Sequence, residues 1–173
     1  MLIRKADIED APGIARVHVD SWRTTYRGIL SGDFLASLSY DQRQRMWESA
    51  ISSGRDVYVL DSEGQIVGFV CFGEAREEGS PYEGEIYAIY LLEAHHGQGW
   101  GKQLFRKVVE RLSAGGKSSM MLWVLADNPT RGFYQVMGGA AYAEKEIEIG
   151  GQSLLEMAYG WANLEIFFSG SDN

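Results

Sequence analysis

A chain of 173 residues, 45% hydrophobic and 23% charged, is long enough for one domain with a sizeable core, and no break in composition marks a second. Its formal net charge of -8 argues against nucleic-acid binding, because a phosphate backbone rewards clustered Lys and Arg; the same acidity suits a cationic substrate, or solubility alone. No apolar run is long enough to cross a bilayer, no export signal opens the chain at Met1-Leu2-Ile3-Arg4-Lys5, and the lone Cys71 has no internal disulfide partner, so a cytoplasmic protein without a membrane partner is expected.

Leu2 to Ala6 reads as a first strand. Asp7 or Asp10 can cap the helix that follows, in which Ile14, Val17, Ser21, Trp22 and Thr25 recur at helical spacing until Gly28 ends it. A second helical region breaks around Ser31-Gly32, with Phe34, Leu35 and Leu38 in a short piece and Met46, Trp47, Ala50 and Ile51 in the next stripe. Val57 to Leu60 and Ile66 to Phe72 are β-branched and aromatic runs joined by Asp61-Ser62-Glu63-Gly64, a hairpin pattern. Arg76 to Gly84 reads as a loop, and Glu85 to Leu92 as the next strand.

That strand leads into His96-Gly97-Gln98-Gly99-Trp100-Gly101-Lys102, a glycine-rich turn opening an amphipathic helix whose core face is Leu104, Phe105, Val108, Val109 and Leu112. Such a turn holds an anion, because glycine admits positive φ and the unsatisfied amides of a helix start point outward. Gly115-Gly116 ends the helix, and Met120 to Leu125 suits a strand buried on both faces. Asn128-Pro129 begins another helix, with Asn as cap, closed by Gly138-Gly139. Tyr142 to Ile149 and Ser153 to Trp161 flank Gly150-Gly151 as a second hairpin, and Phe167 to Asn173 reads as a loose tail. The domain is expected over residues 1–165 and the tail over 166–173.

Counting residues sorts the anion-binding options. A P-loop needs glycine five residues before Gly101 and Ser or Thr after Lys102, where the chain has His96 and Gln103. The dinucleotide fingerprint needs glycine where Lys102 stands. The spacing that remains, His96-x-x-Gly99-x-Gly101 after Ile86-Tyr87-Ala88-Ile89-Tyr90-Leu91-Leu92, resembles the acetyl-CoA motif of the GNAT superfamily of N-acyltransferases. A second segment, Asn128-Pro129-Thr130-Arg131-Gly132-Phe133-Tyr134, resembles that family's Asn-x-x-Ala-x-x-Phe-Tyr stretch, one residue shorter before the aromatic pair. The order of elements also matches, from about Leu2 to Trp161.

The resemblance implies an α/β (α+β) GNAT fold, a mixed, mostly antiparallel sheet of about seven strands flanked by about four helices. It implies an N-acetyltransferase using acetyl-CoA as co-substrate and no metal, with direct attack by a primary amine in a ternary complex. A catalytically inactive CoA-binding sensor or interaction module is the alternative. On this resemblance the amides of Gln98, Gly99, Trp100, Gly101 and Lys102 cradle the pyrophosphate, with the Lys102 charge added. His96 stands where the family has Arg or Gln. Backbone groups at Ile89 and Leu91 pair with the pantetheine arm, and Asn128 either bonds that arm or only caps its helix.

Tyr134 is the candidate general acid, since a phenol of pKa about 10 can protonate a thiolate while staying neutral itself; packing beside Phe133 is the structural alternative. Glu85 is the candidate base, with Glu83 in its place if the register slips, and a solvated strand-end carboxylate is the plain alternative. Alternation puts Glu85, Tyr87 and Ile89 on one side of their strand. The acceptor pocket in such folds is walled by the first two helices and the last hairpin, here bringing Trp22, Arg23, Tyr26, Trp47 and Tyr142, with Tyr87 nearby. His95-His96 has no further His or Cys cluster with it and carries no metal signal. The acceptor is not named by any of these residues, and assembly is open, with a homodimer among the arrangements allowed.

Overall fold

Periodicity is converted into elements largely as expected. The computed structural model describes residues 1–169 and contains β1 (Leu2–Lys5), α1 (Ala11–Thr25), α2 (Gly32–Ser37), α3 (Tyr40–Ser52), β2 (Asp56–Ser62), β3 (Gln65–Glu74), β4 (Gly84–Leu91), α4 (Trp100–Ala114), β5 (Met120–Leu125), α5 (Gly132–Val136), β6 (Ala140–Ile149) and β7 (Gln152–Trp161). Short 3-10 turns occupy Ile8–Asp10, Glu93–His95 and Leu164–Phe167. The strands form a mixed sheet in the order β1-β2-β3-β4-β5-β7-β6, with β1 and β6 at its edges. The β4–β5 pair is parallel, whereas β1–β2, β5–β7 and β6–β7 are antiparallel.

Five α-helices stand among the described residues, against about four expected, because two serines each start one. Ser31 Oγ accepts from Phe34 N at 3.2 Å and caps α2, and Ser39 Oγ accepts from Gln42 N at 3.2 Å and caps α3. Asp7 caps the 3-10 turn before α1 rather than α1 itself. The helix expected to start at Asn128-Pro129 starts later. The Asn128 Oδ1 accepts from both Thr130 N and Thr130 Oγ1 at 2.8 Å, closing an Asx turn, and only Gly132–Val136 is helical. The C-terminal segment is anchored further than expected: Leu164 is buried and the Phe167 ring lies 5.7 Å from that of Phe105. Residues 170–173 of the expected tail lie outside the described residues.

The chain forms two compact units, Met1–Cys71 with Ala88–Leu104, and Phe72–Tyr87 with Phe105–Asn173. In the first, Ile14, Ala15, Val17 and Val19 of α1 are buried, as are Val57, Val59 and Leu60 of β2 and Val67, Phe69 and Val70 of β3. Arg4 pins β1 by donating to both oxygens of Asp10, at 2.7 and 2.8 Å, and to Asp61. In the second, Phe105, Val108 and Val109 of α4 are buried, as are Met120, Met121 and Leu122 of β5 and Ala158, Tyr159 and Trp161 of β7. The Trp161 indole N–H donates to Met137 O at 2.9 Å and ties the end of α5 to β7. Gly150 (φ 57) and Gly151 (φ 77) both take the left-handed conformation that a two-residue hairpin between β6 and β7 requires. A register shift between Ala141 and Ala143 bulges β6 at Tyr142.

Candidate active site

The glycine-rich turn lies in the first unit. Gly97 (φ 71) and Gly99 (φ 84) carry positive φ, whereas Gly101 is already helical, so the alternate glycines divide between turn geometry and helix start. Nothing lies within 4 Å of a Cβ built on Gly97 or Gly99, so the space over the turn is open. The first intrahelical bond at this end is from Gln103 N to Gly99 O, which leaves the preceding amides to an outside partner. The turn is held from below. His96 Nε2 donates to Leu91 O at 2.7 Å, the Gln98 amide donates to Ala94 O at 3.1 Å, and Gly68 leaves room for the side chains of Leu91 and Leu104. His96, a cofactor-binding candidate by its place in the motif, thus directs its Nε2–H to the strand.

Behind β4 the same unit builds an aromatic cluster around His18, a residue the sequence reading passed over. His18 Nδ1 accepts from the Trp47 indole at 3.1 Å, so the proton of its neutral ring sits on Nε2, and its ring stacks on Tyr90 at 5.2 Å. Burial pushes its pKa down to about 3, with the Arg43 charge adding to the effect. Trp22 donates to Tyr90 Oη at 2.9 Å and meets Tyr26 edge-on at 5.0 Å. Of the expected acceptor wall, Tyr26 and Trp47 are buried and Trp22 is half-buried. Arg23 instead donates to Leu35 O and Leu38 O, tying α1 to the end of α2.

In the second unit Glu85 is 2% exposed, and its carboxylate accepts from Arg76 N at 2.9 Å, Arg76 Nε at 3.0 Å and Arg76 Nη2. The guanidinium also covers the Tyr87 ring at 4.6 Å, so Arg76, unremarked in the loop reading, joins two of the predicted residues. Glu83 is engaged elsewhere. Bonds from Ser118 N and Ser118 Oγ hold its carboxyl below the usual range. The loop carrying Arg76 is laid on the sheet by Tyr82, whose ring fills the space where Gly160 has no side chain, and by the Lys145–Glu77 pair.

Register puts further groups on the face that bears Glu85. Directly paired residues share a face, so Glu85↔Met121, Trp123↔Ala158 and Lys145↔Glu156 align Glu85, Trp123, Glu156 and Lys145 on one side. Burial raises the Glu156 carboxyl above its ordinary range, against the opposing charges of Lys145 and Arg76. Tyr142 packs on Tyr82 at 4.9 Å, and burial, then Tyr82, Glu77 and Glu85, push its phenol up to about 12. Tyr134 of α5 is 7% exposed, with its ring 5.5 Å from Phe133 and 6.1 Å from Tyr159. The β4–β5 ladder runs from Gly84↔Met120 to Ile86↔Leu122, and β4 then continues to Leu91. Among the described residues no group of three His, Cys, Asp or Glu side chains could hold a metal ion, and no helix is long and apolar enough to cross a membrane.

A sheet of this order, with a positive-φ glycine turn opening α4 directly after β4, defines an acyltransferase fold. The profile of the Acetyltransferase (GNAT) family matches residues 19–138, and the chain belongs to that family of N-acetyltransferase enzymes. It is 45% identical over 163 residues to the uncharacterized N-acetyltransferase YuaI of Bacillus subtilis, covering 94% of this chain and 93% of that one. It is 26% identical over 129 residues to the L-methionine sulfoximine/L-methionine sulfone acetyltransferase of Salmonella typhimurium, with 74% and 72% covered. Among solved structures, the PaiA N-acetyltransferase of Thermoplasma acidophilum in complex with coenzyme A superposes with a TM-score of 0.67 at 20% identity, covering 92% of this chain and 98% of that one.

Proposed function

We propose that this enzyme moves an acetyl group from acetyl-CoA to a small primary amine by direct attack in a ternary complex. The observation that carries the reading is the turn at Gly97 and Gly99, with positive φ, open space beside both glycines and a helix start whose first amides precede the Gln103 N to Gly99 O bond. His96, Gln98, Gly99, Trp100, Gly101 and Lys102 hold the pyrophosphate, with the Lys102 ammonium adding charge. Ile89 offers backbone groups to the pantetheine arm, and Leu91, whose carbonyl already takes His96, has one lone pair left. When bound, acetyl-CoA supplies an activated thioester acyl group.

The chain's own groups manage the protons. An amine of pKa about 10 arrives protonated, and Glu85 takes that proton through a water at Oε2, the oxygen engaged by the single Arg76 N–H. Glu83 is the poorer base because Ser118 stabilises its ionised form. Tyr134 supplies a proton from its Oη, and Asn128, fixed by Thr130, borders the cofactor arm. Trp22, Tyr26 and Tyr87 wall the acceptor. The relative from Salmonella typhimurium, named for two amino-acid analogues, supports a small-molecule acceptor.

Thiol release from acetyl-CoA across an amine panel tests the reading. Tyr134→Phe is expected to lower kcat about 100-fold while acetyl-CoA affinity holds. Full turnover in that variant would remove Tyr134 as the acid, and a failure of every amine in the panel to drive thiol release would remove the activity itself.

A further inference from the structure

We infer that Trp123, Lys145 and Glu156 bind the acceptor and that the acceptor is a zwitterion, a primary amine that also carries an anionic group; this rests on the acetyltransferase reading above. Two polar groups on one sheet face have no hydrogen-bond partner among the described residues, and they have opposite needs. The Trp123 Nε1 is buried with no hydrogen-bond partner among the described residues, and an indole N–H can only donate. The Glu156 carboxylate is half-buried on the neighbouring strand, and among the described residues no hydrogen bond or ion pair engages it. An ionised carboxylate can only accept.

The two do not satisfy each other, although register makes them diagonal neighbours: Trp123 opposes Ala158, and Glu156 is the next β7 residue on that face. Buried polar groups in folded proteins are nearly always paired, so the unsatisfied indole N–H of Trp123, beside a half-buried carboxylate that accepts no hydrogen bond among the described residues, points to a ligand that brings both an acceptor and a donor. The third group sets the charge. Lys145 opposes Glu156 in register, and its Nζ lies 3.9 Å from the Trp123 ring centroid while pairing with Glu77, which puts a cation beside the indole. An anionic group on the ligand meets the indole N–H and Lys145, and its ammonium meets Glu156. A plain monoamine would leave Trp123 orphaned, and a plain anion would leave Glu156 so.

The test uses the full chain with CoA bound and its tryptophans labelled with 15N, the Trp123 indole signal being assigned by its loss in Trp123→Phe. The probes are the common L-amino acids, L-methionine sulfone and the decarboxylated amine of each. The Trp123 signal is expected to shift with at least one amino acid and not with its decarboxylated amine. Glu156→Gln should weaken that amino acid at least about tenfold with CoA affinity unchanged, and Lys145→Met should weaken it while leaving the decarboxylated amine unaffected. A Trp123 signal unmoved by every amino acid overturns the inference, as does an unchanged affinity in Glu156→Gln. Thiol release driven better by decarboxylated amines also overturns it, but leaves the acetyltransferase reading standing. If no amine drives release, that reading fails, and the Trp123 titration still decides this one, because binding needs no turnover.

Discussion

At Gly99 the backbone stands at φ 84 with open space where a Cβ would go. Gly99→Ala therefore meets no clash, and its cost is conformational, about 1–2 kcal/mol for an L-residue in the left-handed region. The added methyl enters open space at the turn proposed to hold the pyrophosphate. Denaturant unfolding should report the lost stability, and titration calorimetry should report acetyl-CoA binding weakened by about tenfold or more, about 1.4 kcal/mol. Unchanged acetyl-CoA affinity would locate the anion elsewhere. At this scale Gly97 and Gly99 were legible, because a positive φ restricts the residue type; Gly101 was read with them, although helix start, not turn, is its role.

Among elements, the contact that most directly orders the proposed acceptor face is between the β3–β4 loop and β7. A Cβ on Gly160 would lie 2.0 Å from Tyr82 Cζ, so Gly160→Ala must displace the Tyr82 ring, which belongs to the loop that brings Arg76 to Glu85. Steady-state kinetics should show kcat/KM for the amine lowered at least about tenfold with the KM for acetyl-CoA little changed. Equal loss for both substrates would mean that the loop supports more than the acceptor face.

The elements themselves were readable because strands and amphipathic helices repeat at two and 3.6 residues. Their ends were less so. Asn128 looked like a helix cap, but two hydrogen bonds to Thr130 turn it into a local loop closure and shorten α5 to Gly132–Val136. Half of the site was hidden for a different reason. The pairing of Arg76 with Glu85, of His18 with Trp47 and the alignment of Trp123 with Glu156 join residues from separate elements, and local periodicity carries no information about such partners. His18 had a local trace, its place in the α1 stripe between Ile14 and Trp22; Arg76 had none beyond a charged loop.

For the molecule as a whole, His18 sets an acid limit on stability. Its folded pKa, about 3, lies below the unfolded value near 6.5, so the unfolded chain binds the extra proton. The stability of neutral His18 is fully present above pH 6.5 and is lost as pH falls toward 3, at about 1.4 kcal/mol per unit, or about 2 kcal/mol by pH 5. Asp10, lowered from 3.8 by Arg4, acts below pH 5, and Glu156, raised by burial, acts in the opposite sense. Unfolding of wild type and His18→Gln at pH 7 and pH 5 isolates the term. The wild type should lose about 2 kcal/mol more than the variant between those pH values, and equal losses would mean that the buried ring is not what responds.

The two outermost strands carry a further consequence. β6 bears Glu144, Lys145, Glu146 and Glu148 and is bulged at Tyr142, and β1 has four residues, two of them Arg4 and Lys5. Charge, brevity and a bulge each oppose the docking of another strand. Polymerisation by adding strand to strand is thereby disfavoured at both edges of the sheet.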